Sequence, residues 1–185
     1  MAMNRFPLEQ YATLELNQVA FPKTGMVVSQ VPLGAAFTKD APCENGMWVV
    51  ADKAAGAINA PAAATDKPIG IVYTAEKEYD SAHYGLKTFG RKIAGDYPRV
   101  GILGVGDTVT TNCLQYNTTN FANDAALEAA LKAIDTTPLY VGISAGSAVP
   151  EILKAAPQNG IYGKIVKYYT VPNGEKGVKY QIIRV

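Results

Sequence analysis

The sequence IYGKIVKYYTVPNGEKGVKYQIIRV, residues 161–185, predicts two β-strands joined by a tight turn. Residues 161–171 and 178–185 are rich in Ile, Val and Tyr, which are enriched in strands. Between them stands Pro172-Asn173-Gly174, whose residue types favour turns. This hairpin indicates a fold built mainly from β-strands.

Further short runs of Val, Ile, Thr and aromatic residues occur along the chain, and turn residues separate them. They are residues 25–31, 46–51, 69–74, 100–105 and 108–111. We therefore predict a compact β-barrel or a sandwich-like domain.

One segment has the pattern of a short α-helix, over about residues 124–134. Asn123 or Asp124 can cap its first turn, and its apolar residues recur at i, i+4 and i+7. These residues are Leu127, Leu131 and Ile134. A helix of about three turns must pack on a sheet to be stable.

The chain divides into an N-terminal arm and one domain. Residues 1–24 mix aromatic and polar residues without a clear period, and two prolines favour an extended arm over a packed element. Residues 25–185 are predicted to form a single β-rich domain. Within it, residues 47–74 and 139–170 resemble each other, which fits either a duplicated β unit or chance similarity.

The composition excludes several classes of protein. Hydrophobic residues make up 48% of the 185 residues, enough to bury a core, so the chain is not disordered. The formal net charge is +1, which argues against nucleic acid as the main partner. No stretch resembles an apolar membrane span or the apolar region of a secretory signal, so we expect no membrane partner and no export.

The sequence predicts neither a metal site nor a cofactor. Cys43 and Cys113 lack ligand spacing and a neighbouring His, which argues against zinc. They can form one disulfide or stay as two free thiols, and a reducing cytoplasm favours the thiols. The alternating acids of residues 76–80 can be a Ca²⁺ site or a solvated strand edge, and without a calcium-loop motif the strand edge is favoured.

Two glycine motifs point to chemistry but lack its context. Residues 142–146 fit the G-x-S-x-G nucleophile motif, with Ser144 as nucleophile and His83 as candidate base. No helix pattern follows Ser144, and His83 precedes it in the chain, so a turn between strands is favoured over a serine hydrolase. Residues 101–107 have the wrong glycine spacing for a dinucleotide site and predict a hairpin turn at Gly106-Asp107.

The C-terminal hairpin carries an excess of positive charge. Its charged residues are Lys164, Lys167, Lys176, Lys179 and Arg184, opposed by Glu175. The excess fits two interpretations: a docking face for an acidic partner, or lysines that protect an edge strand from aggregation.

Three segments resemble the capsid decoration, or cement, proteins of tailed bacteriophages. Residues 44–52 form a Gly-aromatic strand, residues 56–61 a Gly- and Pro-bounded link, and residues 66–72 an Ile-Gly-Ile-Val strand. The glycine-rich residues 95–101 and 104–109 fit the same pattern, so the resemblance covers about residues 25–112.

The resemblance implies a non-enzymatic virion protein on the capsid surface, made in the cytoplasm of a bacterial host. Its partner would be the major capsid protein, it would be a homo-oligomer, with a trimer favoured, and its arm would contact capsid subunits. The arm residues assigned to that contact are Phe6, Tyr11, Leu14, Leu16 and Phe21. Alternatives are a phage tail or head–tail component, a serine hydrolase, and a carbohydrate-binding module, which scarce Trp disfavours.

Overall fold

The computed structural model describes residues 2–7, 12–15, 19, 25–74, 92–170 and 174–185. In this part of the chain, eleven strands form two sheets, and there is one α-helix. The strands are β1 (Met3–Arg5), β2 (Val27–Val28), β3 (Trp48–Val50), β4 (Ile69–Val72), β5 (Val100–Ile102), β6 (Thr108–Thr111), β7 (Gln115–Asn117), β8 (Tyr140–Gly142), β9 (Glu151–Leu153), β10 (Tyr162–Thr170) and β11 (Lys176–Arg184). The prediction of a mainly β fold is confirmed.

A large sheet has the strand order β1-β7-β9-β8-β10-β11-β6, and a small sheet has the order β2-β5-β4-β3. Neighbouring strands are antiparallel except for β7 and β9, which are parallel. The sheets do not close into a barrel, so of the two predicted architectures the sandwich-like one fits.

The predicted C-terminal hairpin is present as β10 and β11, which pair along their length with two irregularities in register. The predicted helix is present as α1 (Asp124–Lys132), and the Asn123 side chain accepts a hydrogen bond from the amide of Ala126. Leu127 and Leu131 are buried, as their spacing predicts. All five further predicted β runs contain a strand, each of two to four residues.

Two groups of buried side chains hold the fold together. One lies between the sheets and includes Trp48 and Ile71 from the small sheet and Ile165 and Tyr180 from the large sheet. The other covers the opposite face of the small sheet, where Val49, Val72 and Val100 pack against residues of the connecting segments, such as Leu33, Phe37 and Ile58. The small sheet is therefore buried on both faces.

The segments of the predicted repeat occupy matching positions in the two sheets. In the small sheet Val49 pairs with Gly70, and at the equivalent position of the large sheet Val141 pairs with Gly163. The bridge between Val50 and Asn59 corresponds to the pairing of Gly142 with Glu151. The match extends to the neighbouring strands, since β5 pairs with β2 as β11 pairs with β6. The two halves of the domain, each containing one of the repeated segments, thus have the same order of strand pairing. That the halves arose by duplication stays a prediction.

Candidate functional site

The described part of the N-terminal arm lies against the domain and includes one short strand. Met3–Arg5 pairs with Gln115–Asn117 as an added edge strand of the large sheet. The side chains of Phe6 and Leu14 are 2% and 5% exposed and belong to the core between the sheets. Burial of apolar surface is the physical reason, because it favours packing even where the sequence has no period.

This placement bears on the residues assigned to capsid contact. Phe6 and Leu14 contact their own domain in this structure, so neither side chain is presented to a partner. Tyr11, Leu16 and Phe21 lie outside the described residues. The contact assigned to these five residues therefore stays a prediction.

A buried carboxylate attaches the first part of the arm. Oε2 of Glu44 accepts hydrogen bonds from Nη2 of Arg5 at 3.1 Å and from the amide of Ala12 at 3.3 Å. The Glu44 residue is 6% exposed. The Glu44 carboxylate is buried while the Arg5 side chain is 39% exposed, so the charge-assisted hydrogen bond holds Arg5 at the surface of the domain. Glu44 therefore connects two points of the arm to the domain.

The second part of the arm covers the edge of β6. The amide of Glu15 donates to the carbonyl of Thr110 at 2.9 Å, and the hydroxyl of Thr111 donates to the carbonyl of Thr13 at 2.7 Å. Nδ2 of Asn112 donates to Glu175 at 2.7 Å, which connects this edge to the C-terminal hairpin. Thr110 and Thr111 are fully buried as a result.

In the other half of the domain, the strand equivalent to β6 is β2, and no strand among the described residues pairs with its outer edge. The amide of Ile102 donates to the carbonyl of Met26, and in the half that contains β6 the amide of Ile182 donates to the carbonyl of Asp107. Met26 and Asp107 are therefore equivalent positions. Three and four residues further along, residues 29 and 30 correspond to residues 110 and 111, which the arm covers. Ser29 and Gln30 are exposed. The edge of β2 is thus accessible where the edge of β6 is not.

Five exposed aliphatic side chains lie on or beside β2, in the turn after β5 and at the C-terminal end of β11. The amide of Ile102 donates to the carbonyl of Met26, which places Met26 beside β5, and the amide of Gly106 donates to the carbonyl of Ile182, which places Val105 near the end of β11. The set, which we name the apolar patch, consists of Met26 (55% exposed), Val27 (38%), Val105 (47%), Ile183 (40%) and Val185 (43%). Contiguous apolar surface on a soluble protein is typical of interaction sites, which makes this set the candidate for a binding surface.

A groove between the two sheets opens beside the patch. Ile69 and Leu103 of the small-sheet half line it, as do Ile161 and Val185. Its volume is about 240 Å³, and Lys67 lies at its rim. The patch and groove together offer protruding and recessed apolar surface, which a protein surface can match.

The sequence did not indicate the apolar patch. Its members lie in β-like runs or beside turns, where apolar residues normally point into the core. Only their position at a strand edge and at the ends of β11 exposes them, and that position depends on pairing between distant segments.

Ser144 lies in a turn and not at a nucleophile elbow. The amide of Ser147 donates to the carbonyl of Ser144 at 3.0 Å, and Gly146 takes a φ of +79°, which favours glycine. This turn joins β8 to β9, so no helix follows the Ser. Burial raises the pKa of the nearby Glu151 carboxyl, and a hydrogen bond with Ser144 opposes that rise. His83 lies outside the described residues.

A turn is present at Gly106-Asp107, but the prediction of a hairpin there is wrong, because the flanking strands β5 and β6 belong to different sheets and do not pair. The amide of Asp107 donates to the carbonyl of Gly104, and its Oδ2 accepts from the amide of Gly104 at 2.7 Å. Asp107 is 1% exposed, and burial raises the pKa of its carboxyl. Its other oxygen, Oδ1, is buried without a hydrogen-bond partner. The residue closes a turn that connects the two sheets.

Cys43 and Cys113 are both free and buried. Burial raises the pKa of the Cys113 thiol to about 12 and raises that of Cys43 as well. A thiol with so high a pKa is a poor nucleophile and metal ligand at neutral pH. Both residues therefore serve the core on the outer face of the small sheet.

A second open pocket, of about 380 Å³, lies over the Arg5–Glu44 ion pair, with Asp40 and Ser147 among its lining residues. The opposite charges of Arg5 and Glu44 form an ion pair there, with Glu44 buried and Arg5 39% exposed. Within the described ranges, no three His, Cys, Asp or Glu side chains are grouped so that they could hold a metal ion. The acidic residues 76, 78 and 80 lie outside those ranges. No helix among the described residues is long and apolar enough to cross a membrane.

The fold and these surfaces define a two-sheet β protein with a docked N-terminal segment and an exposed apolar patch. Comparison of the chain with protein-family models, with curated proteins and with solved structures finds no match.

Proposed function

We propose that the protein is a structural component of a tailed-phage head that binds the outer surface of the major capsid lattice and stabilises it. The observation that supports this proposal most is the apolar patch beside the open edge of β2. A protein whose role is to bind other subunits needs such a surface. The resemblance of residues 25–112 to capsid decoration proteins supplies the class of partner.

The open strand edge suits this role for a second reason. An edge strand can accept a further strand through backbone hydrogen bonds, and side chains beside it then add specificity. In the other half of the domain, residues 13–15 occupy the equivalent edge in this way. We propose that a capsid segment, or a neighbouring copy in a homotrimer, meets the edge of β2.

Repetition on a symmetric shell reduces the affinity that each contact needs, since many copies act together. In this proposal the protein is synthesised in the cytoplasm of the bacterial host and then acts on the capsid surface. The arm keeps its role in this proposal through Tyr11, Leu16 and Phe21, while Phe6 and Leu14 hold it to the domain.

The test mixes the purified protein with expanded capsids that lack decoration and measures saturable co-sedimentation. We expect binding by the wild type and at least a tenfold loss of affinity in the variants Met26→Glu and Val105→Glu. Both side chains are about half exposed, so these variants should fold normally. Tyr97→Glu is the matched control, because Tyr97 is 61% exposed and lies at the other end of β5 from Met26.

Absence of wild-type binding to competent capsids would refute the proposed function. Binding to purified tails and not to capsids would favour a tail or head–tail component. Equal binding by the patch variants and the Tyr97 control would show that the lattice contact lies on another surface.

A further inference from the structure

The outer face of β10 and β11 carries lysines that form no ion pair among the residues that the structure describes. Ile165 and Tyr180 point into the core, so their neighbours Lys164 and Lys179 lie on the other side. The irregularity in register between Ile165 and Lys167 brings Lys167 opposite Lys179 and so onto the same outer face. Lys164 and Lys167 are exposed, and Lys179 is half-buried. We name these three residues the basic face. The ion pairs recorded for the described residues, Arg5–Glu44 and Glu128–Lys132, involve none of them.

The pairing of the strands makes this arrangement costly within the chain alone. Lys167 stands directly opposite Lys179 on the neighbouring strand. Like charges in opposite positions of an antiparallel pair repel each other. Lys167 lies 5.3 Å from the centre of the Tyr169 ring, which offsets part of that repulsion. The remaining charge favours an anion that approaches from outside.

Protection of a sheet edge does not account for these lysines. Lys164 pairs with Tyr140 on one side and with Gln181 on the other, and Lys179 pairs with Lys167 and with Thr110. Both residues therefore lie inside the large sheet, where no edge needs protection. Only Lys167 extends beyond the end of β8.

Among the described residues, the acidic side chains near the basic face contact other groups or form no ion pair with its lysines. Glu175 accepts from Asn112, and Glu128 pairs with Lys132. Asp135 lines a shallow pocket with Lys167, and the two form no ion pair. The lysines thus keep their charge for an external group.

Rigid aromatic side chains border the lysines. Tyr140 and Tyr162 pack edge to face with ring centres 5.9 Å apart, and the guanidinium of Arg184 lies 4.7 Å from the centre of the Tyr162 ring. Arg184 is fixed by hydrogen bonds to the carbonyls of Pro157, Gln158 and Gly160. Tyr and Arg are the residues that most often dominate protein interfaces.

We propose that the basic face, together with Tyr140 and Tyr162, docks on a protein surface rich in Asp and Glu. Resting on the proposed function, this inference identifies the partner as an acidic region of the capsid shell. Charge complementarity then orients the protein on the shell and speeds its association.

The test compares two double variants that change the net charge equally, by −4 each from the replacement of two lysines by glutamates. Lys164→Glu/Lys167→Glu alters the basic face, and Lys39→Glu/Lys154→Glu alters exposed lysines elsewhere. Each is mixed with undecorated capsids and, separately, with a labelled 12-residue Glu-rich peptide, at 50 mM and 300 mM NaCl. Circular dichroism checks that both variants fold.

We expect the basic-face variant to lose at least tenfold in affinity for both probes at low salt. The control variant should lose less than threefold, and 300 mM NaCl should weaken wild-type binding, because salt screens exposed charges. Face-dependent peptide binding without capsid binding would leave the acidic-partner inference standing and refute the capsid function. Equal binding of the peptide by the two variants, or no peptide binding by the wild type, overturns the inference.

Discussion

Trp48 and Tyr180 join the two sheets through one buried hydrogen bond. Nε1 of Trp48 donates to the Tyr180 hydroxyl at 3.0 Å, and the rings pack edge to face with centres 6.0 Å apart. The residues are 132 positions apart in the sequence, and both are fully buried. Their contact therefore reports whether the sandwich has assembled.

Replacing Tyr180 by Phe should lower the free energy of unfolding by about 1–3 kcal/mol. The change leaves the ring in place but removes the only recorded acceptor of the Trp48 N–H, and a buried donor without a partner costs about that much. Urea unfolding followed by Trp fluorescence measures the effect. Tyr162→Phe is the control, because it removes a hydroxyl from a half-buried ring, and we expect a change below about 0.5 kcal/mol. Equal effects in the two variants would contradict the assignment.

Replacing Glu44 by Gln should loosen the N-terminal arm. The amide cannot form the ion pair with Arg5 and is a weaker acceptor for the Ala12 amide. We expect the rate of trypsin cleavage after Arg5 to rise at least threefold, while the β-rich circular dichroism is unchanged. Asp40→Asn provides the control, since Asp40 is exposed in the same pocket. An unchanged cleavage rate in Glu44→Gln would show that other contacts hold the arm.

The stability of Asp107→Asn relative to the wild type should depend on pH. Burial raises the pKa of the Asp107 carboxyl above the unfolded value of about 3.9. As pH rises from that value through the folded pKa, the unfolded chain releases a proton that the folded chain still holds, so the wild type loses stability. Asn has no such proton and retains the acceptor for the Gly104 amide.

Urea unfolding from pH 3.5 to pH 8 measures this difference. We expect the free energy of unfolding of Asp107→Asn, minus that of the wild type, to increase with pH and then level off above the folded pKa. A difference that stays constant over the whole range, or that decreases with pH, contradicts the raised pKa.

The two thiols should be unreactive in the folded protein. Burial excludes reagents and raises the pKa of Cys113 to about 12, so little thiolate forms at pH 8. With Ellman's reagent and no reductant, we expect no reaction in buffer and two equivalents of thiol in 6 M guanidinium chloride. A failure to react even in denaturant would show a disulfide between Cys43 and Cys113 in place of free thiols.

Local features of the sequence were sufficient for the hairpin and the helix. The turn residues near Gly174 and the strand-forming residues around them act within 25 residues, and the Asn123 cap acts within one helical turn. The short strands β1, β7 and β9 were not predicted. Each has three residues, too few to show a period, and each depends on backbone hydrogen bonds with distant segments.

The sequence itself determined the mainly β class, the C-terminal hairpin and the position of α1, because turn chemistry, capping and hydrophobic spacing act between near neighbours. Only the tertiary structure decided that Phe6 and Leu14 are buried, that Met26 and Val185 are exposed, and that Lys164 lies inside a sheet. Those outcomes depend on which distant strands pair, and strand pairing follows from the packing of the whole core.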